Sequence, residues 1–217
     1  FSITDESETK ASSVSDGSVT TESKTVSSII SVNGEEQDNE VSGNVVKAVQ
    51  GANGALQKQS GFEDDDDLGP RLGQAFTLVF ADKPVGVGDT WTYSYPRASK
   101  SDGLVAADFS AKLVAFDGAS DEGLAQIEAT YKERDTEEKM SVTMTAWVDP
   151  TTGVIKKSEF KIIGMPLGLP GNPEFTGSME LKSYKAASDV TEDTTAPAQE
   201  GEGEEEEGDN IDSTVED

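Results

Sequence analysis

The chain has 217 residues, 43 acidic against 17 basic side chains, a formal net charge of -26, and neither histidine nor cysteine. That charge disfavours phosphate backbones and anionic membrane surfaces, since both are bound by clustered Lys and Arg, and no basic stripe interleaved with aromatics occurs. Histidine-based catalysis, disulfides and thiolate metal sites are excluded outright, no apolar run approaches the roughly 20 residues that span a bilayer, and no cofactor motif is complete.

The acidity is uneven. No Lys or Arg follows Lys185, whereas residues 186–217 hold 13 of the 43 acids, which leaves 30 acids and 17 bases, or -13, for residues 1–185. A 185-residue segment is long enough to bury roughly two-thirds of its unfolded surface. The tail AQEGEGEEEEGDNIDSTVED lacks the apolar residues that would offset the entropy of ordering, so residues 186–217 are expected to be a disordered, solubilising acidic tail. Phe1 opens directly on strand-like residues, which is compatible with a signal or anchor upstream.

From the N-terminus, the first 60 residues are rich in Ser, Thr and Glu. SVTTESKTVSSIISVNG reads as a long strand, with Val26, Ile30 and Val32 on one buried side and Asn33-Gly34 as its turn. Ser7-Glu8-Thr9-Lys10 fits S-x-x-K, but its companion catalytic elements are absent and its setting is a polar strand. VVKAVQGANGALQKQ reads as a strand ending at Asn53-Gly54, because Gly51 and Gly54 interrupt any long helix.

Next comes Glu63-Asp64-Asp65-Asp66-Asp67. Hard cations such as Ca²⁺ prefer several carboxylate oxygens, which makes Asp64, Asp65, Asp66 and Asp67 candidate metal ligands. The run lacks the EF-hand spacing and is followed by LGPRLG, so a solvated acidic loop is the competing reading. The apolar FTLVFA beyond it reads as a strand closed by Pro84.

FADKPVGVGDTWTYSY then tests for a phosphate loop. Gly86 and Gly88 match the first two glycines of G-x-G-x-x-G, but Trp91 stands where the third belongs, and TWTYSY alternates like a strand instead of opening a helix. The stretch is therefore a turn between two strand-rich halves, with Trp91 as the first core anchor of the second half.

From Thr90 to Lys185 the dominant period is two. Trp91, Tyr93 and Tyr95 form one face, followed by Val105, Ala107, Phe109, Ala111 and Leu113, then Ala125, Ile127, Ala129 and Tyr131. Met140, Val142, Met144, Ala146 and Val148 come next, then Val154, Phe160 and Ile162, then Phe175, Gly177, Met179 and Leu181. Connections such as FDGASDEG and DPTTG are short and turn-rich, which favours hairpins over helical crossovers. Asp149-Pro150-Thr151-Thr152-Gly153 fits a type I turn closed by glycine. SDG recurs at 15–17 and 101–103, each followed by a long strand and an Asx-Gly turn, which suggests two duplicated meanders in halves 1–80 and 90–185.

Lys83, Pro84, Val85, Gly88, Asp89 and Trp91, together with DPTTGVIKKSEF, resemble a segment of secreted bacterial lipoproteins of unknown function, related to the periplasmic lipoprotein-carrier half-barrels. The resemblance implies an extracytoplasmic location and an open half-barrel with an apolar concavity. The lipidated cysteine of those proteins is absent and would have to lie upstream.

The expectation is thus a mainly β chain: one curved antiparallel sheet or open half-barrel spanning 1–185, then the acidic tail. The expected role is non-catalytic, an extracytoplasmic binding or envelope-structural domain whose concave face holds an apolar ligand such as an acyl chain. Trp91, Phe109, Ile127, Met144 and Phe160 would line that face, with Leu167 and Leu169 of MPLGLPGNP at its lip or as a patch for a protein partner. Two alternatives stand beside it. One is a Ca²⁺-responsive or protein-interaction module using the acidic loop and tail, and the other is a salt-adapted structural domain with no ligand.

Overall fold

Alternation of apolar and polar residues becomes strand pairing over most of the chain, in a computed structural model that describes residues 2–32, 35–38, 43–63, 66–96, 102–116, 123–166 and 174–185. Two antiparallel sheets result, neither closed into a barrel. The first holds β1 (Ser2–Ser15), β2 (Ser18–Val32), β3 (Glu35–Asp38), β4 (Val46–Gln50) and β5 (Leu56–Ser60), in the order β1-β2-β4-β5 with β3 beside the far end of β2. Asp16 and Gly17 turn the β1–β2 hairpin with φ of 51° and 75°, the left-handed pair that a two-residue hairpin turn requires.

The second sheet is a six-stranded meander of β6 (Thr90–Tyr95), β7 (Ala107–Phe116), β8 (Ala125–Glu133), β9 (Ser141–Val148), β10 (Ile155–Ile163) and β11 (Glu174–Glu180), each strand lying beside its neighbour in sequence. The expected antiparallel, mainly β fold is therefore present, divided into two sheets in place of a single curved one. Residues Phe1–Lys182 form one compact unit, and of the residues that follow only Ser183–Lys185 are described, outside any helix or strand. The acidic tail 186–217 lies outside the described residues.

The expected turn at Asp149 forms as the residue types demand. The Asp149 carboxylate accepts hydrogen bonds from the N–H groups of Thr151 at 2.8 Å and Thr152 at 3.4 Å, and the Gly153 N–H, at φ 72°, closes on the Asp149 carbonyl at 2.8 Å. The Thr151 N–H is the main reason that the Asp149 carboxyl sits below its ordinary pKa.

Three expectations change. FTLVFA is not a strand: Leu78 and Val79 are buried, yet the segment's backbone bonds to single partners, Phe80 N–H to Asn53 O at 2.8 Å and Val79 O to the Trp91 indole N–H at 2.8 Å, so no ladder forms. LGPRLG, for which no element was expected, forms most of an eight-residue helix, α1 (Leu68–Ala75). Val26 is 40 % exposed, while Ser28 is the buried position nearby in β2; the side chains of Ile30 and Val32 lie outside the described residues.

Helix α1 is short and carries Gly69, Pro70 and Gly73, so its stability comes from its surroundings. Asp66 accepts the Leu68 and Gly69 N–H groups at 3.1 and 2.7 Å, capping the first turn, where Pro70 has no N–H to strand. Two buried glutamines latch the helix in place. The Gln59 amide donates to Pro70 O and Gly103 O, and Gln74 exchanges two 2.9 Å bonds with the backbone of Val105. The core lies between α1 with the 76–80 segment and one face of the six-stranded sheet, joined by Ala55 and Leu56 at the start of β5.

Candidate functional site

The strand register places the expected lining residues on one face of the six-stranded sheet. Trp91, Ala111, Ala129, Met144, Phe160 and Gly177 form a row straight across it, one residue per strand. Phe109 stands in the next row on one side and Ile127 in the next row on the other. The sequence thus names residues that do share a surface. They are packed in the core, however: Phe109, Ile127 and Met144 are buried, and Trp91 and Phe160 are half-buried against the same cluster.

The cover over that face is α1 with its continuation. Phe76 meets Phe160 edge to face at 4.6 Å between ring centroids, and the Trp91 indole is tied to Val79. Phe160 in turn lies across Gly177, where an added Cβ would fall 2.5 Å from Phe160 Cζ. Met165, the first apolar residue of MPLGLPGNP, also packs on this core, whereas Leu167 and Leu169 lie outside the described residues.

The glycines of KPVGVGDTW serve a turn. The Gly86 N–H bonds to an Asp89 carboxylate oxygen at 2.8 Å and the Asp89 N–H to Gly86 O at 3.0 Å, while Gly88, at φ 98°, donates to Leu113 O at 2.8 Å. Those residue types thus dock a tight turn onto the end of β7 and deliver Trp91 into the core.

Among the acidic candidates, Asp66 is committed to capping α1, Asp67 is exposed, and Asp64 and Asp65 lie outside the described residues. No group of three or more acidic side chains converges to hold a metal among the described residues. Ser7 and Lys10 of the S-x-x-K match sit on the exposed strand β1, where Lys10 pairs with Glu22 at 3.2 Å and Ser7 donates to Thr25 at 3.4 Å.

A buried ion pair that sequence reasoning missed fastens α1 to the β8–β9 hairpin. Glu133, whose side chain is fully buried, accepts Arg71 Nε at 2.9 Å, Arg71 Nη2 at 2.6 Å, the Met140 N–H at 2.8 Å and the Thr136 hydroxyl at 3.3 Å. The Glu133 carboxylate makes Arg71 hold its proton more tightly, against the opposing effect of burial. Next to this pair, the Tyr131 hydroxyl is buried without a hydrogen-bond partner among the described residues, and burial drives its pKa upward.

The opposite, solvent-facing side of the six-stranded sheet carries a furrow of about 700 Å³ across β8 to β11. Glu128, Thr145, Glu159 and Ser178 stand along one wall in register, and Thr130, Thr143, Lys161 and Thr176 along the other. The floor is the backbone of the Ala129 to Gly177 row. With strands about 4.8 Å apart, four strands give a length of roughly 14 Å. Lys157 binds Glu159 at 2.7 Å and lies 4.8 Å over the Trp147 ring, which stands beside the furrow on the same face.

The furrow's face carries charges of both signs. Asp108, Glu128, Glu159, Glu174 and Glu180 share it with Lys112, Lys132, Lys157 and Lys161, a near balance in a chain of net charge -26. Such a surface repels neither neutral nor weakly charged ligands, and its hydroxyls offer both donors and acceptors. No helix among the described residues is long and apolar enough to cross a membrane. Comparison with family models, curated proteins and solved structures returns no match for this chain.

Proposed function

We propose that the chain is a non-catalytic, extracytoplasmic binding or envelope-structural domain whose ligand-contacting surface is the furrow on the solvent-facing side of the six-stranded sheet. One observation carries the reading: two walls rich in Ser and Thr flank an open furrow of about 700 Å³ on a nearly charge-balanced face of a strongly acidic chain. The chemistry suits an extended, uncharged polyhydroxylated ligand such as a glycan, held by hydrogen bonds and flanked by Trp147. The extracytoplasmic part rests on the resemblance of KPVGVGDTW to secreted lipoproteins.

Retention of the purified chain on insoluble cell-wall polysaccharide tests the reading. Binding is expected, with loss on replacing Thr143 and Thr145 by Leu, which removes two hydroxyls and narrows the furrow; absence of retention refutes it. The acyl-chain version has to place its ligand where Phe76 meets Phe160, so it requires α1 to lift from the sheet. Native mass spectrometry of protein purified without detergent tests that version, and a lipid-free mass counts against it.

A further inference from the structure

We propose that β1 is a self-pairing edge, through which two copies of the chain join their five-stranded sheets into one. Among the described residues, strand β1 is hydrogen-bonded on one side only, to β2, and from Thr4 to Ser15 its side chains are exposed on both faces. An open edge of this length is a template for strand addition, and neither proline nor a covering element protects it among the described residues.

The occupant follows from charge and register. On one face, Lys47 of β4, Glu22 of β2 and Lys10 of β1 form a row of alternating sign, bridged at 3.0 and 3.2 Å. The neighbouring row runs from Lys24 to Glu8 at 3.6 Å. The first row therefore ends at the open edge on a cation and the second on an anion. Antiparallel pairing of β1 with β1 of a second copy, centred on Thr9, sets Glu8 opposite Lys10 of the second copy and the reverse. Both rows then continue with alternating sign across the joint, and opposite charges directly facing across strands are favourable.

Neighbouring centres are worse. Centring on Glu8 places Glu8 against itself, and centring on Lys10 places Lys10 against itself. The backbone selects the same centre, because register irregularities fall between Glu6 and Ser7 and between Ala11 and Ser13, leaving Ser7–Ala11 as a regular run with Thr9 at its middle. On the other face, the 2.7 Å contact between the Thr9 and Ser23 hydroxyls extends into a hydroxyl row through the axis. The Lys182 contact to Glu6, at 2.9 Å, lies just outside that run. A two-fold partner of this kind is isologous and closes at a dimer.

The experiment uses the full chain at about 0.15 M ionic strength, where repulsion between two acidic molecules is screened beyond about 8 Å. Light scattering coupled to size exclusion is expected to give twice 22.9 kDa at high protein concentration. The chain has no cysteine, so Thr9→Cys places a single thiol on the axis; it is expected to oxidise to a covalent dimer about tenfold faster than Ser13→Cys, whose facing residue is Asp5. Lys10→Glu is expected to weaken the dimer about tenfold, because an acid then faces Glu8 of the second copy. Far-ultraviolet circular dichroism confirms that each variant is folded. A monomer at every concentration overturns the proposal, as does a dimer in which Thr9→Cys cross-links no faster than Ser13→Cys or Lys10→Glu has no effect.

Discussion

Glu133→Gln tests how firmly α1 is held over the sheet. Glu133 has a fully buried side chain that accepts four hydrogen bonds, two of them from an Arg71 whose side chain is only 12 % exposed. Glutamine keeps one acceptor oxygen but turns an NH₂ donor toward other donors and leaves the guanidinium without a counter-charge. Removing one member of a buried pair costs about 3–5 kcal/mol. For a domain of this size that corresponds to a fall of roughly 6–20 °C in Tm. Urea denaturation followed by fluorescence of Trp91 and Trp147, both on the six-stranded sheet, measures it. The double variant Arg71→Met/Glu133→Leu is expected to lose less than Glu133→Gln alone, since replacing both charges strands neither. A loss below about 1 kcal/mol, typical of an exposed ion pair, would refute the reasoning.

Gly177→Ala is expected to cost about 1–3 kcal/mol, because the new Cβ meets the Phe160 ring that packs on Phe76; Phe160→Leu in the same chain should recover part of it in the same urea assay. Tyr131→Phe removes a buried hydroxyl with no partner among the described residues, so stability at pH 7 should hold or rise. Burial raises the Tyr131 phenol above the unfolded value of about 10; the stability it contributes is therefore fully present below pH 10 and falls as pH rises beyond it, and Tyr131→Phe should lessen that alkaline fall, leaving the share of the likewise raised Tyr95, in urea titrations at pH 7 and pH 11. Asp66→Ala should lower stability by about 1 kcal/mol through loss of the α1 cap while leaving the heat of Ca²⁺ titration unchanged. A Ca²⁺ signal abolished by that change would restore the acidic loop as a cation site.

The strands from Thr90 onward were legible because each buries one face, and burial of one face imposes period two on residues such as Phe109, Ile127 and Met144. Helix α1 was illegible for the converse reason. Gly69, Pro70 and Gly73 speak against a helix, and what holds it are Gln59, Val105 and Glu133, partners from distant parts of the chain. FTLVFA misled because apolar content marks burial, whereas a strand also needs a neighbouring ladder, and the Val79 carbonyl is bonded instead by the Trp91 indole N–H. The furrow could not be read from Thr143 or Thr130 singly, since polar alternates are expected on any half-exposed strand. Only the register that brings Thr130, Thr143, Lys161 and Thr176 into one line makes a wall of them.

The order of elements along the chain has a consequence for synthesis. Helix α1 and the 76–80 segment precede the six strands whose apolar face they cover. On a ribosome the cover is made first, and each strand from β6 to β11 can pair with its predecessor as it emerges. Sequence-adjacent pairing keeps loop-closure costs small and favours rapid assembly. The 68–80 segment is thus already at hand when Val105 and Glu133 emerge to fix α1 in place, so the row from Trp91 to Gly177 can be covered as it forms, which limits the interval in which partly made chains can aggregate.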